Sequence, residues 1–178
     1  MVLSGHGQES GPLKQIATIG LPVVEGRFDH FAMDENGKRL FVAALGNDSL
    51  EILDVGAGRR LDSIKGLRKP TGVLYLKSSN KIVVANGDDG TCRIFDGTSY
   101  KERGRLKGLD DADNLRADAE EKFVYVGFGD GALGILESQT RSRAGDIKLK
   151  GHPESFQVER GGSRVFVNVP DANHVTVN

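Results

Sequence analysis

The sequence predicts an all-β fold, a β-propeller of four four-stranded blades. Two apolar series in one register carry that reading. Leu40, Ile82, Phe123 and Val165 lie 42, 41 and 42 residues apart, and Leu50, Cys92, Leu133 and Val175 keep the same spacing. Glycine-rich turns such as Gly87-Asp88-Asp89-Gly90 cut each period into short strands. Four antiparallel strands in about 40–50 residues, the last the most polar, is the pattern of a propeller blade.

The first period shows the elements in order. Phe28 to Asp34 reads as a short strand, and Asp34-Glu35-Asn36-Gly37 supplies a turn. Leu40 to Leu45 is apolar throughout, as in a strand covered on both faces. Leu50 to Asp54 alternates, and Arg60 to Lys65 forms a polar fourth strand closed by Gly66. The repeats run over about 21–66, 67–108, 109–151 and 152–178, preceded by a disordered tail at 1–12.

Strand counting predicts how the ring closes. The last repeat stops after its third strand, His174 to Asn178, while Leu13 to Gly20 reads as an orphan fourth strand. If that N-terminal strand completes the last blade, the chain has sixteen strands. Completion within one chain gives a four-bladed ring. Reciprocal exchange between two chains gives an eight-bladed ring, and the homodimer is the expectation here, because an open half-ring would leave strand edges and apolar faces bare.

The stretches Lys38-Arg39-Leu40-Phe41-Val42-Ala43 with Leu50-Glu51-Ile52-Leu53-Asp54, and Lys81 to Asn86 with Arg93-Ile94-Phe95-Asp96, resemble YVTN-type β-propellers, the lactonase-like and surface-layer-like group. The resemblance spans Leu13 to Asn178 and implies the fold. Members of that group usually have about seven blades, against strands for four here.

Composition excludes several classes. With 24 Lys and Arg against 25 Asp and Glu, the net charge of −1 offers no general attraction to nucleic acid or an anionic membrane. No apolar run approaches the ~20 residues of a membrane helix. The one cysteine, Cys92, excludes an internal disulfide and falls in a core series, so it reads as packing. The N-terminus has no basic region followed by an apolar one. Localisation is therefore unknown, with a trimmed secretory signal allowed for. Gly129-x-Gly131-x-x-Gly134 matches a dinucleotide fingerprint by letter but precedes a strand instead of a helix. Asp110-Asp111-Ala112-Asp113-Asn114 lacks the spacing and glycine of an EF-hand. Asp54 and Asp96 end third strands and read as turn acceptors.

The chemistry lies in a comparison of the innermost strands. Their first residues are Asp29, Gly72, Asp113 and Glu154, followed by His30, Val73, Asn114 and Ser155. In a propeller these positions converge on one mouth of the channel. Three clustered carboxylates repel one another, and a divalent cation would relieve that. Asp29, His30, Asp113, Asn114, Glu154 and His152 are the candidate ligands. Calcium is the first expectation for such oxygen donors, with zinc or manganese if imidazole takes part. The competing reading is that these side chains stitch blade to blade through hydrogen bonds. His174 is expected on the same side.

A metal-dependent hydrolase of a small-molecule ester, lactone or phosphotriester follows, with Asp29 or Glu154 acting on water and His30 relaying a proton. The arrangement is similar to that of gluconolactonase-like and diisopropyl-fluorophosphatase-like propellers. A non-catalytic scaffold or ligand-binding propeller is the alternative.

Overall fold

A computed structural model describes residues 13–139 and 142–178. The expected tail at 1–12 lies outside the described residues. Four antiparallel meanders follow one another along the chain. Blade one holds β1 (Phe31–Asp34), β2 (Arg39–Ala44), β3 (Ser49–Asp54) and β4 (Arg59–Lys65). Blade two holds β5 (Pro70–Leu76), β6 (Lys81–Asn86), β7 (Thr91–Asp96) and β8 (Glu102–Leu106). Blade three holds β9 (Leu115–Ala117), β10 (Phe123–Phe128), β11 (Ala132–Glu137) and β12 (Arg143–Lys148). Blade four has three strands only, β13 (Ser155–Val158), β14 (Val165–Val169) and β15 (His174–Val177).

The repeat extends to its irregularities. A register shift separates the third and fourth strands at Ile52/Leu53, Ile94/Phe95 and Ile135/Leu136, so each complete blade twists its polar outer strand at the same point. Asp54 and Asp96 do serve turns: Asp54 accepts from the amides of Gly56 and Ala57 at 2.9 and 2.8 Å, and Asp96 from those of Thr98 and Ser99 at 3.1 and 2.8 Å.

The core sits between blades, as the doubly covered second strands require. Phe41, Leu50 and Ile52 of blade one pack with Leu67, Ile82 and Phe95 of blade two. Val83, Cys92 and Ile94 face Leu109, Leu115 and Val124 of blade three. Leu133 of blade three meets Phe156, Val165 and Val167 of blade four. Each large apolar side chain so covered contributes about 1.5–3 kcal/mol. Basic residues at the entry of the second strand add a reach to the next blade. Arg39 donates to the Gly97 carbonyl and Lys81 to that of Ser138, the latter at 2.9 Å. Arg164, at the same position of the fourth blade, pairs with Glu159 of its own hairpin.

Two expectations need correction. Val124, not Phe123, occupies the core position of Leu40, Ile82 and Val165, since the missing residue of the third repeat falls in the β10–β11 turn. There Gly129 and Gly131, both at positive φ, carry the tighter connection. The N-terminal segment does not complete the last blade: residues 13–20 form no strand, and Leu13 and Ile16 are each 93% exposed. The three packed cores set the angle between blades, and along the innermost strands β1 lies against β5, β5 against β9 and β9 against β13. Among the described residues no comparable contact of β13 with β1 closes a ring. The ends of the arc expose Phe31 and Met33 on one side and Phe166, Val175 and Val177 on the other.

Candidate functional site at the channel mouth

Main-chain pairing fixes the entry of each innermost strand. The amides of Asp29, Asp113 and Glu154 donate to the carbonyls of Ala43, Gly127 and Asn168 at 2.9, 2.9 and 3.2 Å. In blade two the matching carbonyl, Ala85, lies 3.3 Å from the hydroxyl of Thr71. Thr71 therefore holds the position that sequence alignment gives to Gly72. The register shift between Pro70 and Val73 hides the difference.

Hydrogen bonds then tie neighbouring entries together. The His30 amide donates to the Thr71 carbonyl at 3.2 Å, the Thr71 hydroxyl to the Ala112 carbonyl at 2.6 Å, and Asn114 Nδ2 to the Glu154 carbonyl at 2.8 Å. Thr71 and Asn114 are buried and serve as staples. For these two side chains the stitching reading describes the geometry.

A cleft of about 340 Å³ opens over the staples. All six residues singled out in the sequence, Asp29, His30, Asp113, Asn114, His152 and Glu154, line it. His174 does not. Its ring lies 3.0 Å from the Ala172 carbonyl and 2.9 Å from the Thr176 hydroxyl. Sequence comparison missed Arg27, Lys69, Thr71 and Arg116, which line the cleft as well.

Charges in the cleft are ordered. Asp29 accepts from Arg27 Nη2 at 2.8 Å, and its other oxygen lies 3.0 Å from His30 Nδ1. That second contact is off the line a hydrogen bond requires, and Nδ1 is buried without another partner. His152 Nδ1 lies 2.7 Å from the Gly129 carbonyl, the distance of a hydrogen bond, and 3.9 Å from Asp111. Asp113 is half-buried, and burial pushes its pKa above the ordinary 3.8. His30 and His152 oppose that rise electrostatically, while Asp29 and Glu154 add to it. A carboxyl held toward its neutral form beside two imidazoles can donate a proton.

The expected metal ligands share one cleft without forming a ready-made cation cluster. Among the described residues no group of three or more His, Cys, Asp or Glu side chains is placed to hold a metal ion. Asn114 Nδ2 donates to the Glu154 carbonyl, His152 Nδ1 lies beside the Gly129 carbonyl, and Asp29 accepts from Arg27. The buried Oδ1 of Asn114 is left without a partner.

No sequence family and no curated protein matches the chain. Among solved structures, hydrazine synthase of Kuenenia stuttgartiensis superposes with a TM-score of 0.70 at 15% identity, over 84% of this chain and 48% of that one. A proposed 6-phosphogluconolactonase of Bacteroides uniformis superposes with a TM-score of 0.73 at 12% identity, over 90% of this chain and 53% of that one. The chain thus spans about half the length of the structures it matches. At such low identity the likeness concerns fold alone, and with four radially packed antiparallel sheets it gives a β-propeller-type, all-β architecture.

Proposed function

We propose that the chain is a hydrolase of a small ester or lactone, acting in the cleft at the channel mouth. The observation that carries this reading is Asp113, a carboxyl pushed toward its neutral form by burial and flanked by His30 and His152. In the proposed reaction His30 takes a proton from water while Asp29, behind its ring, stabilises the imidazolium. The water oxygen bonds to the acyl carbon, Asp113 protonates the departing alkoxide as the acyl–oxygen bond breaks, and the His30 proton restores Asp113. Glu154 supports the step by opposing ionisation of Asp113. The likeness to a proposed lactonase and the YVTN-type repeat pattern agree with this class.

The test is turnover of aryl acetates and simple lactones, with and without chelator. Turnover that survives chelation supports the carboxylate–imidazole scheme, and chelator-sensitive turnover with bound metal favours the divalent-metal reading. The alternative of a non-catalytic ligand-binding module draws on the staples, since Thr71 and Asn114 are spent on main-chain contacts between blades. Binding without turnover would favour it.

A homodimer belongs to the same proposal. A second copy would cover the exposed Phe31, Val175 and Val177, with Lys14 to Ile19 of one chain pairing with β15 of the other. Light scattering tests this directly: a mass of two chains is expected, and a soluble, cooperatively folded single chain overturns it.

A further inference from the structure

Strand register gives one position of the innermost strands a residue from each blade. Ala32 pairs with Phe41, Leu74 with Val83, Arg116 with Tyr125 and Gln157 with Phe166. Three of the four are uncharged, so packing at this position needs no charge. Arg116 is the departure.

Its surroundings are unlike those of the other half-buried or buried arginines. Arg39 meets Asp34, Arg60 meets Glu51 and Arg93 meets Glu102. Among the described residues Arg116 has no carboxylate within 4.0 Å. Its Nη1 donates to the Leu115 carbonyl at 2.7 Å, and its guanidinium carbon lies 5.8 Å from the Phe156 ring centre. Most of its five N–H donors are left for a ligand. Burial draws its pKa below the ordinary guanidinium value, the mark of a charge without a counter-ion, although it stays cationic.

Arg116 also stands where two cavities meet. It lines the mouth cleft and a second space of about 480 Å³ further along the innermost strands, which Leu74 and Gln157 line too. The acids of that second space are already engaged. Asp118 accepts from the Phe123 amide, Glu121 from the amides of Lys77 and Ser78, and Glu159 from Arg164. None of them neutralises Arg116.

We propose that Arg116 is the anion-recognition residue of the channel, holding the carboxylate or phosphate of a small molecule that enters through the mouth cleft. A guanidinium stacked against an aromatic ring presents a planar fork suited to two oxygens of either group. The proposal stands on the surroundings of Arg116 and does not require the cleft to be hydrolytic.

The experiment is calorimetric titration of the intact chain with sodium phosphate and, separately, sodium acetate, at ionic strength fixed with chloride. Saturable binding of at least one anion is expected, weakened tenfold or more in Arg116→Gln. Phosphate binding alone points to a phosphorylated ligand, and acetate binding alone to a carboxylate. Gln157→Glu places a carboxylate in the same space as Arg116 and should weaken binding similarly, so it reads the proposal even where Arg116→Gln fails to fold. Unchanged affinity in the folded variants, or no saturable binding of either anion by the unaltered chain, overturns it. The readout is binding, so loss of turnover elsewhere in the cleft does not affect it.

Discussion

In blade two the innermost strand enters through Pro70, Thr71 and Gly72; in blade three the corresponding stretch brings Asp113, Asn114 and Arg116. Thr71 ties its blade to the Ala112 carbonyl, and Gly72 comes so close that an added Cβ would lie 2.1 Å from the Asp113 carbonyl oxygen. Blade two thus seats itself on the backbone of blade three with small, uncharged groups. Blade three turns charge toward the space above that seam. Two aspartates of these blades also differ in the direction of their pKa shift. Asp96, in a turn of blade two, is held below its ordinary pKa chiefly by the Ser99 amide, whereas burial raises Asp113. Residues that conform to the repeat seat one blade on the next, and Asp113 and Arg116, which depart from it, line the cleft.

Gly72→Ala should break the seam most severely. Backbone must shift to admit the methyl group, at about 3 kcal/mol or more. Gly145, with nothing within 4 Å of a built Cβ, should accept alanine with a change below about 1 kcal/mol. Chemical denaturation of both variants checks the contrast. Cys92→Ser should cost about 1–3 kcal/mol, because the fully buried thiol, its pKa pushed up to about 12 by desolvation, offers a hydroxyl no partner. Turnover per folded molecule should not change. Thr71→Val, which removes one staple, should cost about 1 kcal/mol in the same measurement.

The smallest effect sharpens the difference in sign. Asp113 has a raised folded pKa, so between 3.8 and that value the folded state binds more protons than the unfolded one. Its contribution therefore falls as pH rises through this window, and Asp113→Asn should flatten that decline. Asp96 has a lowered folded pKa, so its contribution is present above 3.8 and lost as pH falls through the folded value. Asp96→Asn should lose stability at neutral pH relative to acid. Stability–pH curves of the two variants should bend in opposite directions.

The fold was legible because doubly covered strands leave runs of apolar residues at a fixed spacing, and Leu50, Cys92, Leu133 and Val175 share one register position. Single-residue errors arose where the backbone departs from that spacing. The shift at Pro70–Val73 concealed Thr71, and the short β10–β11 turn exchanged Phe123 for Val124. The N-terminal segment has a strand-like pattern but joins no sheet of its own chain, and pattern alone carries no information about a partner edge. The carboxylates of the mouth stand out as departures from apolar repeats. Arg116 was missed because the comparison stopped two residues into each innermost strand. Its lack of a counter-ion is a property of three-dimensional surroundings.

The most direct test of the account is the hydrolysis of a panel of aryl acetates and simple lactones by the unaltered chain, Asp113→Asn and Cys92→Ser, with folding checked by circular dichroism. The account expects turnover by the unaltered chain, a loss of about 10²–10⁴-fold in Asp113→Asn, and full turnover per folded molecule in Cys92→Ser. Full turnover in folded Asp113→Asn, or none by the unaltered chain across the panel, would contradict it.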